Sequence, residues 1–258
     1  MPYYELRNYG LVKRGGEKKL HRYKIAELTI AMECLGKIVP EQARAYETDA
    51  GSNVDMMISI DPERINKAGK EHQQLTLDEW EYILTGSDFA RGLLDFDGFC
   101  LHASAVALEG KAILFSAPCG TGKSTHAGLW RKYFKDRAVV INDDKPALRL
   151  HNGTFYVYGT PWSGKSYLNT NMKAALQAIV FLKQAKENKI RSLTDREAVQ
   201  MLVYQSLRPS RDTQKMERLL SLLDSLLAGT PVYQLECNIS HEAVRTVYRE
   251  INGKEMED

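Results

Sequence analysis

One stretch limits what this chain can fold into more than any other: residues 101–144, LHASAVALEGKAILFSAPCGTGKSTHAGLWRKYFKDRAVVINDD. The apolar run at 112–115 reads as a strand entering a turn of small residues, Ala117-Pro118-Cys119-Gly120-Thr121-Gly122-Lys123-Ser124. That turn fits the phosphate-binding pattern G-x-x-x-x-G-K-[ST], with Ala117 in place of the first glycine. Gly120 and Gly122 let the backbone curl so that successive N–H groups face one anion. Residues 124–134 continue as a helix whose N-terminal dipole favours the same charge. Lys123 supplies a mobile cation for the terminal phosphates, and the Ser124 hydroxyl suits a magnesium ion. Residues 138–141 form a buried strand that delivers Asn142-Asp143-Asp144 at its C-terminal end. Two carboxylates placed there can hold a metal shell and accept a proton. The pattern describes a nucleotide site, lined by Cys119, Gly120, Thr121, Gly122, Lys123, Ser124 and Thr125, with ATP and Mg2+ as the expected cofactors.

Composition narrows the alternatives. At 258 residues the chain has room for one large α/β domain, or a small domain beside a medium one. The net charge of +2 argues neither for nor against nucleic acid; no nucleic-acid partner is expected. Cys34, Cys100, Cys119 and Cys237 are scattered, without metal-ligand spacing, and read as reduced thiols. The start MPYYELRNYG lacks the apolar core of a signal peptide, and no apolar run is long enough to span a bilayer. A cytoplasmic chain with no membrane partner is the expectation.

Along the chain, residues 1–97 read as an N-terminal β-rich region with linking helices, and 98–258 as the nucleotide-binding domain. Alternation at 28–32 and 54–60 predicts strands. A basic cluster, Lys13, Arg14, Lys18, Lys19, Arg22 and Lys24, reads as a solvated face, with a site for an acidic partner as the alternative. A helix is expected after Asp61-Pro62-Glu63, and another from the capping box Thr76-Leu77-Asp78-Glu79. Gly86-Ser87-Asp88 is expected to break that helix and cap a second. From Cys100 onward the reading is strand, Glu109-Gly110 turn, strand, phosphate loop, helix and strand. A hairpin on Asn152-Gly153 follows, then a buried strand at 178–182. Thr194-Asp195-Arg196-Glu197 opens a helix to about Leu207. A leucine-striped helix at 213–228, a strand at 232–235, a helix capped by Ser240 and a fraying end from Gly253 complete the chain.

A second segment, Gly159-Thr160-Pro161-Trp162-Ser163-Gly164-Lys165-Ser166, matches the same pattern more literally. A phosphate loop needs a strand before it and a helix at once behind it, because the helix N-terminus binds the anion. The first segment has both. The second is followed by Tyr167-Leu168-Asn169-Thr170-Asn171, a poor helix start. It reads as an acceptor-side loop, with Trp162 as a wall and Lys165 as a charge facing substrate, or else as a structural turn with an exposed lysine. Arg208, at the end of a predicted helix, is either a charge clamp or a surface arginine.

Leu101-His102-Ala103-Ser104, the loop with Lys123 twenty-one residues after His102, and the tandem Asp143-Asp144 together resemble HPr kinase/phosphorylase and its relatives. That superfamily shares its nucleotide-binding core with phosphoenolpyruvate carboxykinase and includes kinases of serine hydroxyls on lasso-peptide precursors. The resemblance, firm over 100–182, implies an α/β fold: a phosphoenolpyruvate carboxykinase/HPr kinase-like core on a mixed sheet, beside the smaller N-terminal region. It implies homo-oligomers. It implies that Lys123 and Ser124 hold phosphates and magnesium, with Asp143 on the metal side and Asp144 as general base. His102 matches the family's active-site histidine, and its alternative is a histidine satisfied by a strand-end hydrogen bond. The Gly-rich phosphorylase signature is absent after the Asp pair, so the acceptor is expected to differ from HPr. The functional expectation is an ATP-dependent kinase acting on a hydroxyl of a peptide, protein or small metabolite. The alternative is a regulatory module that binds or slowly hydrolyses nucleotide without an acceptor.

Overall fold

The computed structural model describes residues 19–49, 53–71, 74–209 and 212–253. Lys13, Arg14 and Lys18 of the basic cluster, and residues 254–258 of the expected fraying end, lie outside the described residues. The chain divides into two compact units, Met1–Phe89 and Ala90–Asp258.

In the first unit, β1 (Lys19–Ile25) pairs antiparallel with β2 (Leu28–Cys34), and α1 (Ile38–Ala43) follows. Then β3 (Met56–Ser59) joins β2 in parallel, and α2 (Pro62–Glu71) and α3 (Leu77–Leu93) close the set. In β1 the exposed Arg22 and Lys24 alternate with buried Tyr23 and Ile25, so this part of the basic cluster is the outer face of a strand. The capping box forms: Thr76 N–H donates to Glu79 Oε2 at 2.7 Å and Glu79 N–H to Thr76 Oγ1 at 3.2 Å. The expected break at Gly86 does not occur, and α3 runs through it. A helical glycine costs only about 1 kcal/mol. Here that is offset by buried Thr85, Phe89, Ala90 and Leu93 around it and by the Arg64–Asp88 ion pair at 2.7 Å.

The second unit opens with β4 (Gly98–Cys100), β5 (Ala103–Leu108), β6 (Lys111–Ser116) and α4 (Lys123–Phe134). Next come β7 (Ala138–Asp144), β8 (Ala147–His151), β9 (Thr154–Tyr158), β10 (Lys173–Gln184) and β11 (Lys189–Ser192). Helices α5 (Asp195–Gln205) and α6 (Thr213–Leu227), strand β12 (Val232–Cys237) and helix α7 (His241–Asn252) finish it. The strands form one mixed sheet in the order β4-β8-β9-β10-β6-β5-β7, with β12 on β10 and β11 on β12. The expected class, α/β with a mixed sheet and a separate smaller sheet, is the one observed.

Strand direction places the site. β10 is parallel to β6 and to β12, while β5 is antiparallel to both β6 and β7. So β6, β7, β10 and β12 all run the same way and end on the same side of the sheet, where β5 begins. The β5–β6 turn at Glu109 (φ 52°) and Gly110 (φ 80°), and the β8–β9 turn at Asn152 (φ 49°) and Gly153 (φ 77°), have the doubly positive φ of tight hairpins. Helices cover both faces. Leu202 of α5 and Leu219, Leu222, Leu223 and Leu226 of α6 pack on the face carrying Ala112 and Leu114. Helices α4 and α7 cover the face carrying Ile113 and Phe115. Double burial explains why these strands read as unbroken apolar runs. Among the described residues no helix is long and apolar enough to cross a membrane.

A chain of rings anchors α4: Phe115 lies 5.5 Å from Trp130, Trp130 5.3 Å from Phe134, and Phe134 5.6 Å from Tyr248 of α7. His126 stands edge-on to Phe115 at 4.5 Å and accepts the Trp130 indole N–H at 3.3 Å. Burial pushes its imidazole down from 6.5 to about 4. The folded chain keeps the ring neutral, whereas the unfolded chain protonates it. Stability is therefore full above pH 6.5 and is lost as pH falls to about 4, by about 3 kcal/mol at most. Denaturant titrations from about pH 7 to about pH 4 should show that slope in wild type and a flatter one in His126→Phe.

Candidate active site

The loop at 117–122 begins where β6 ends. Gly120 (φ 78°) and Gly122 (φ 111°) occupy left-handed conformations, and space around both is open, so backbone geometry and not crowding requires glycine. Gly122 is the N-cap of α4 and accepts the His126 N–H at 2.9 Å. Lys123 folds back over the loop, and its ammonium donates to Ala117 O at 2.9 Å and Pro118 O at 3.4 Å. Burial lowers its pKa, opposed by the nearby Cys119, Asp144 and Asp143. Cys119, Ser124 and Thr125 are exposed, and Thr121 is half-buried.

The other side of the site comes from β7. Ala103, the first residue of β5, pairs with Ser116 on one side and Asp144 on the other, and Ser104 pairs with Asp143. The Ser104 hydroxyl donates to Asp143 Oδ1, and Asp143 is buried. Asp144 is more open: Lys145 Nζ donates to its Oδ2, and His102 Nε2 stands 3.4 Å from its Oδ1. His102 Nδ1 lies 3.0 Å from Gln205 Oε1, and the His102 carbonyl accepts the Ser116 hydroxyl at 2.8 Å. Burial and then the Lys123 cation lower the His102 pKa, against the Gln205 hydrogen bond and Asp144. Asn142 organises the strand end, accepting the Asp144 and Lys145 N–H groups at 3.0 and 2.7 Å and donating to Thr160 O at 2.9 Å.

The second matching segment has no helix behind it, only a single 3-10 turn at Gly164–Ser166 followed by Tyr167 at φ 57°. Its glycines serve packing. A Cβ at Gly159 would lie 2.0 Å from Thr170 O, and one at Gly164 (φ +64°) 3.1 Å from Asp144 Cβ. Asp143 N–H donates to Leu168 O at 3.0 Å and Thr170 N–H to Ile141 O at 2.9 Å, so residues 159–170 brace the end of β7. Trp162 is buried at 2% exposure. Lys165 is exposed, and so is Arg208, three residues beyond the Gln205 that meets His102.

The structure thus gathers the loop, Lys123, His102, Asp143 and Asp144 around one end of the sheet. Sequence reasoning missed three partners. Ser104 is two residues from His102, but only the register turns it toward Asp143. Lys145 adjoins the Asp pair, and nothing local marks it. Gln205 is 103 residues from His102 and carried no signal. A cavity of about 530 Å³ opens beside the loop, between α4 and the ends of β10 and β12.

Fold and site define an α/β chain with a glycine-hinged loop at a strand–helix junction, a buried lysine and a paired carboxylate opposite it. The family model for the SynChlorMet cassette protein ScmC matches residues 87–247, more than half of the chain. The protein belongs to that ScmC family. No curated protein sequence matches it. Among solved structures it is similar to the Hpr(Ser) kinase/phosphatase from Coxiella burnetii, at 12% identity over 58% of this chain and 95% of that one, with a TM-score of 0.33.

Two glycine substitutions separate the roles of the two loops. Gly159→Ala forces a backbone collision and should cost about 2–3 kcal/mol in denaturant unfolding. Gly120→Ala meets open space and should cost only the left-handed strain, about 1 kcal/mol. An equal or smaller loss at Gly159 would contradict the bracing role of residues 159–170.

Proposed function

We propose that this protein is an ATP-dependent kinase that transfers a phosphoryl group to a hydroxyl of a peptide, protein or small-molecule acceptor. The observation that carries the reading is the convergence of Lys123 with Asp143 and Asp144 at one end of the sheet: strands β6 and β7, parallel to each other and paired to opposite sides of β5, deliver the loop and the two carboxylates to the same end. Phosphoryl transfer asks a protein for positioning and charge neutralisation more than for covalent chemistry. The loop amides and the N-terminus of α4 bind the phosphates. Lys123 leaves the Ala117 and Pro118 carbonyls, weak partners for a cation, for phosphate oxygens.

Asp144 is the general base. It is the more open carboxylate, and Lys145 and His102 stand on its two oxygens. Asp143 is buried, and the Ser104 hydroxyl fixes its orientation. The donor set of the Ser124 hydroxyl and the Asp143 carboxylate is all hard oxygen and fits Mg2+ completed by phosphate oxygens and water. Among the described residues no cluster of three or more His, Cys, Asp and Glu residues offers a protein-only metal cage. Magnesium, when bound, supplies charge neutralisation on the phosphates. His102, oriented by Gln205, buffers the charge and proton on Asp144. The regulatory-module reading has no use for a base held in this way.

Transfer of label from ATP with magnesium to a pool of serine peptides and hydroxylated metabolites tests the proposal. Wild type should label one acceptor, and Asp144→Asn should slow transfer by about a hundredfold or more while retaining nucleotide affinity. Nucleotide bound without label on any acceptor would sink it. Lys123→Ala should lose nucleotide binding and turnover together. Lys165→Ala should keep nucleotide affinity and raise the KM for the acceptor, and equal loss of nucleotide binding there would reverse the roles of the two loops.

A further inference from the structure

We propose that the open groove beside the start of β7 docks an acidic, extended segment of the acceptor, so that the acceptor is a peptide or protein and not a small metabolite. The inference rests on the phosphoryl-transfer reading and specifies its acceptor.

β7 is an edge strand. Among the described residues it pairs with β5 on one side, and on the other only its end is covered. That cover is the segment 168–170, held by Asp143 N–H on Leu168 O, Thr170 N–H on Ile141 O and the bridge between Asn142 and Asn169. Residues 138–140 have no strand beside them. The Val140 carbonyl accepts the Thr170 hydroxyl at 2.9 Å, so the backbone groups of Val140 face away from β5. Those groups alternate in direction along a strand, so the ones of Ala138 face the same way. The Ala138 N–H is already bonded to Lys135 O. The Ala138 carbonyl and the Val140 N–H are left for a further strand, and such an edge is a template for an added peptide.

In front of that edge lies a groove of about 520 Å³, between the end of α4 and residues 168–170. Val139 and Leu168, both exposed, line it and suit the alternate apolar side chains of an extended peptide. Arg131 and Lys135, exposed as well, line the helical side with one carboxylate, Asp136. Among the described residues neither cation forms an ion pair. The charge that complements this groove is therefore negative. β7 carries the groove at its start and the two carboxylates at its end. Its seven residues, at about 3.3 Å each, put the two about 20 Å apart. A peptide reaches both places at once, and a small metabolite does not.

Fluorescence titration of the full chain tests the dock. The probes are a labelled peptide of alternating Glu and Val, its Lys and Val counterpart, and the Glu-Val peptide methylated on every backbone nitrogen. Wild type should bind the Glu-Val peptide at least about tenfold more tightly than either control. Arg131→Gln with Lys135→Gln changes two exposed side chains, so the double variant should fold normally. It should weaken the Glu-Val peptide about fivefold. The same peptide, flanked on both sides by about ten residues of Gly-Ser repeat, then serves as acceptor for label from ATP with magnesium. Wild type should label it with a KM at least about tenfold below that of the repeat alone, and the double variant should lose that advantage. Equal binding of the Glu-Val peptide and its controls, or equal KM with and without the acidic segment, overturns the dock and leaves the kinase reading standing. Tight binding of the acidic peptide with no serine labelled overturns the kinase reading, and with it the assignment of the groove to an acceptor.

Discussion

The site depends on the register of one short strand. Ala103 starts β5 and is paired on both sides at once, with Ser116 at the mouth of the loop and with Asp144 at the end of the acidic strand. Side chains alternate with a period of two, so a slip by one residue would turn Ser104 away from Asp143 and remove its hydrogen bond. The same slip would shift the backbone carbonyl of His102, which accepts the Ser116 hydroxyl. Burial on both faces forbids such slips, because each would also bring the wrong residues against α4 and α6. Core packing and site geometry are therefore one constraint.

The two G-x-x-x-x-G-K-[ST] segments obey different physics. In the first, the glycines are needed for their φ angles and stand in open space, which leaves the backbone N–H groups of a helix start accessible. In the second, Gly159 lets two backbones approach, against Thr170 and Ile141, while Gly164, itself at φ +64°, leaves room for the Asp144 side chain. One sequence pattern thus describes both a loop that can surround an anion and a loop that braces a carboxylate. Only the element that follows distinguishes them, and a run beginning Tyr167-Leu168-Asn169 gives no helix.

Helix α4 joins the polar site to the core. Its first turn carries the loop lysine, and its inner face sends His126, Trp130 and Phe134 into an aromatic chain that reaches α7. The neutral His126 is part of that packing, its Nε2 occupied by the Trp130 indole. The helix that receives charge at one end is thereby fixed by apolar contacts along its length. The cavity between α4, β10 and β12 lies on this same face of the sheet, which gives the loop an apolar neighbour on one side and the carboxylates on the other.

Much of this was legible in the amino-acid order. Strong local signals marked the loop and its helix, the Asp pair at a strand end, both Gly-containing hairpins and the capping boxes, because each depends on residues within a turn of one another. The Gly86 break was misread because a local glycine penalty of about 1 kcal/mol is outweighed by burial of the residues around it. Strands β1, β4 and β11 were missed because they are short or charged on one face, and pairing makes them strands. Ser104, Gln205 and the groove between α4 and residues 168–170 were beyond reach for a related reason. The sequence by itself determined which chemical groups are present and which local turns they occupy. Tertiary structure alone decided which of them meet, since strands of one direction ending at one side of a sheet join residues that lie a hundred positions apart in the chain.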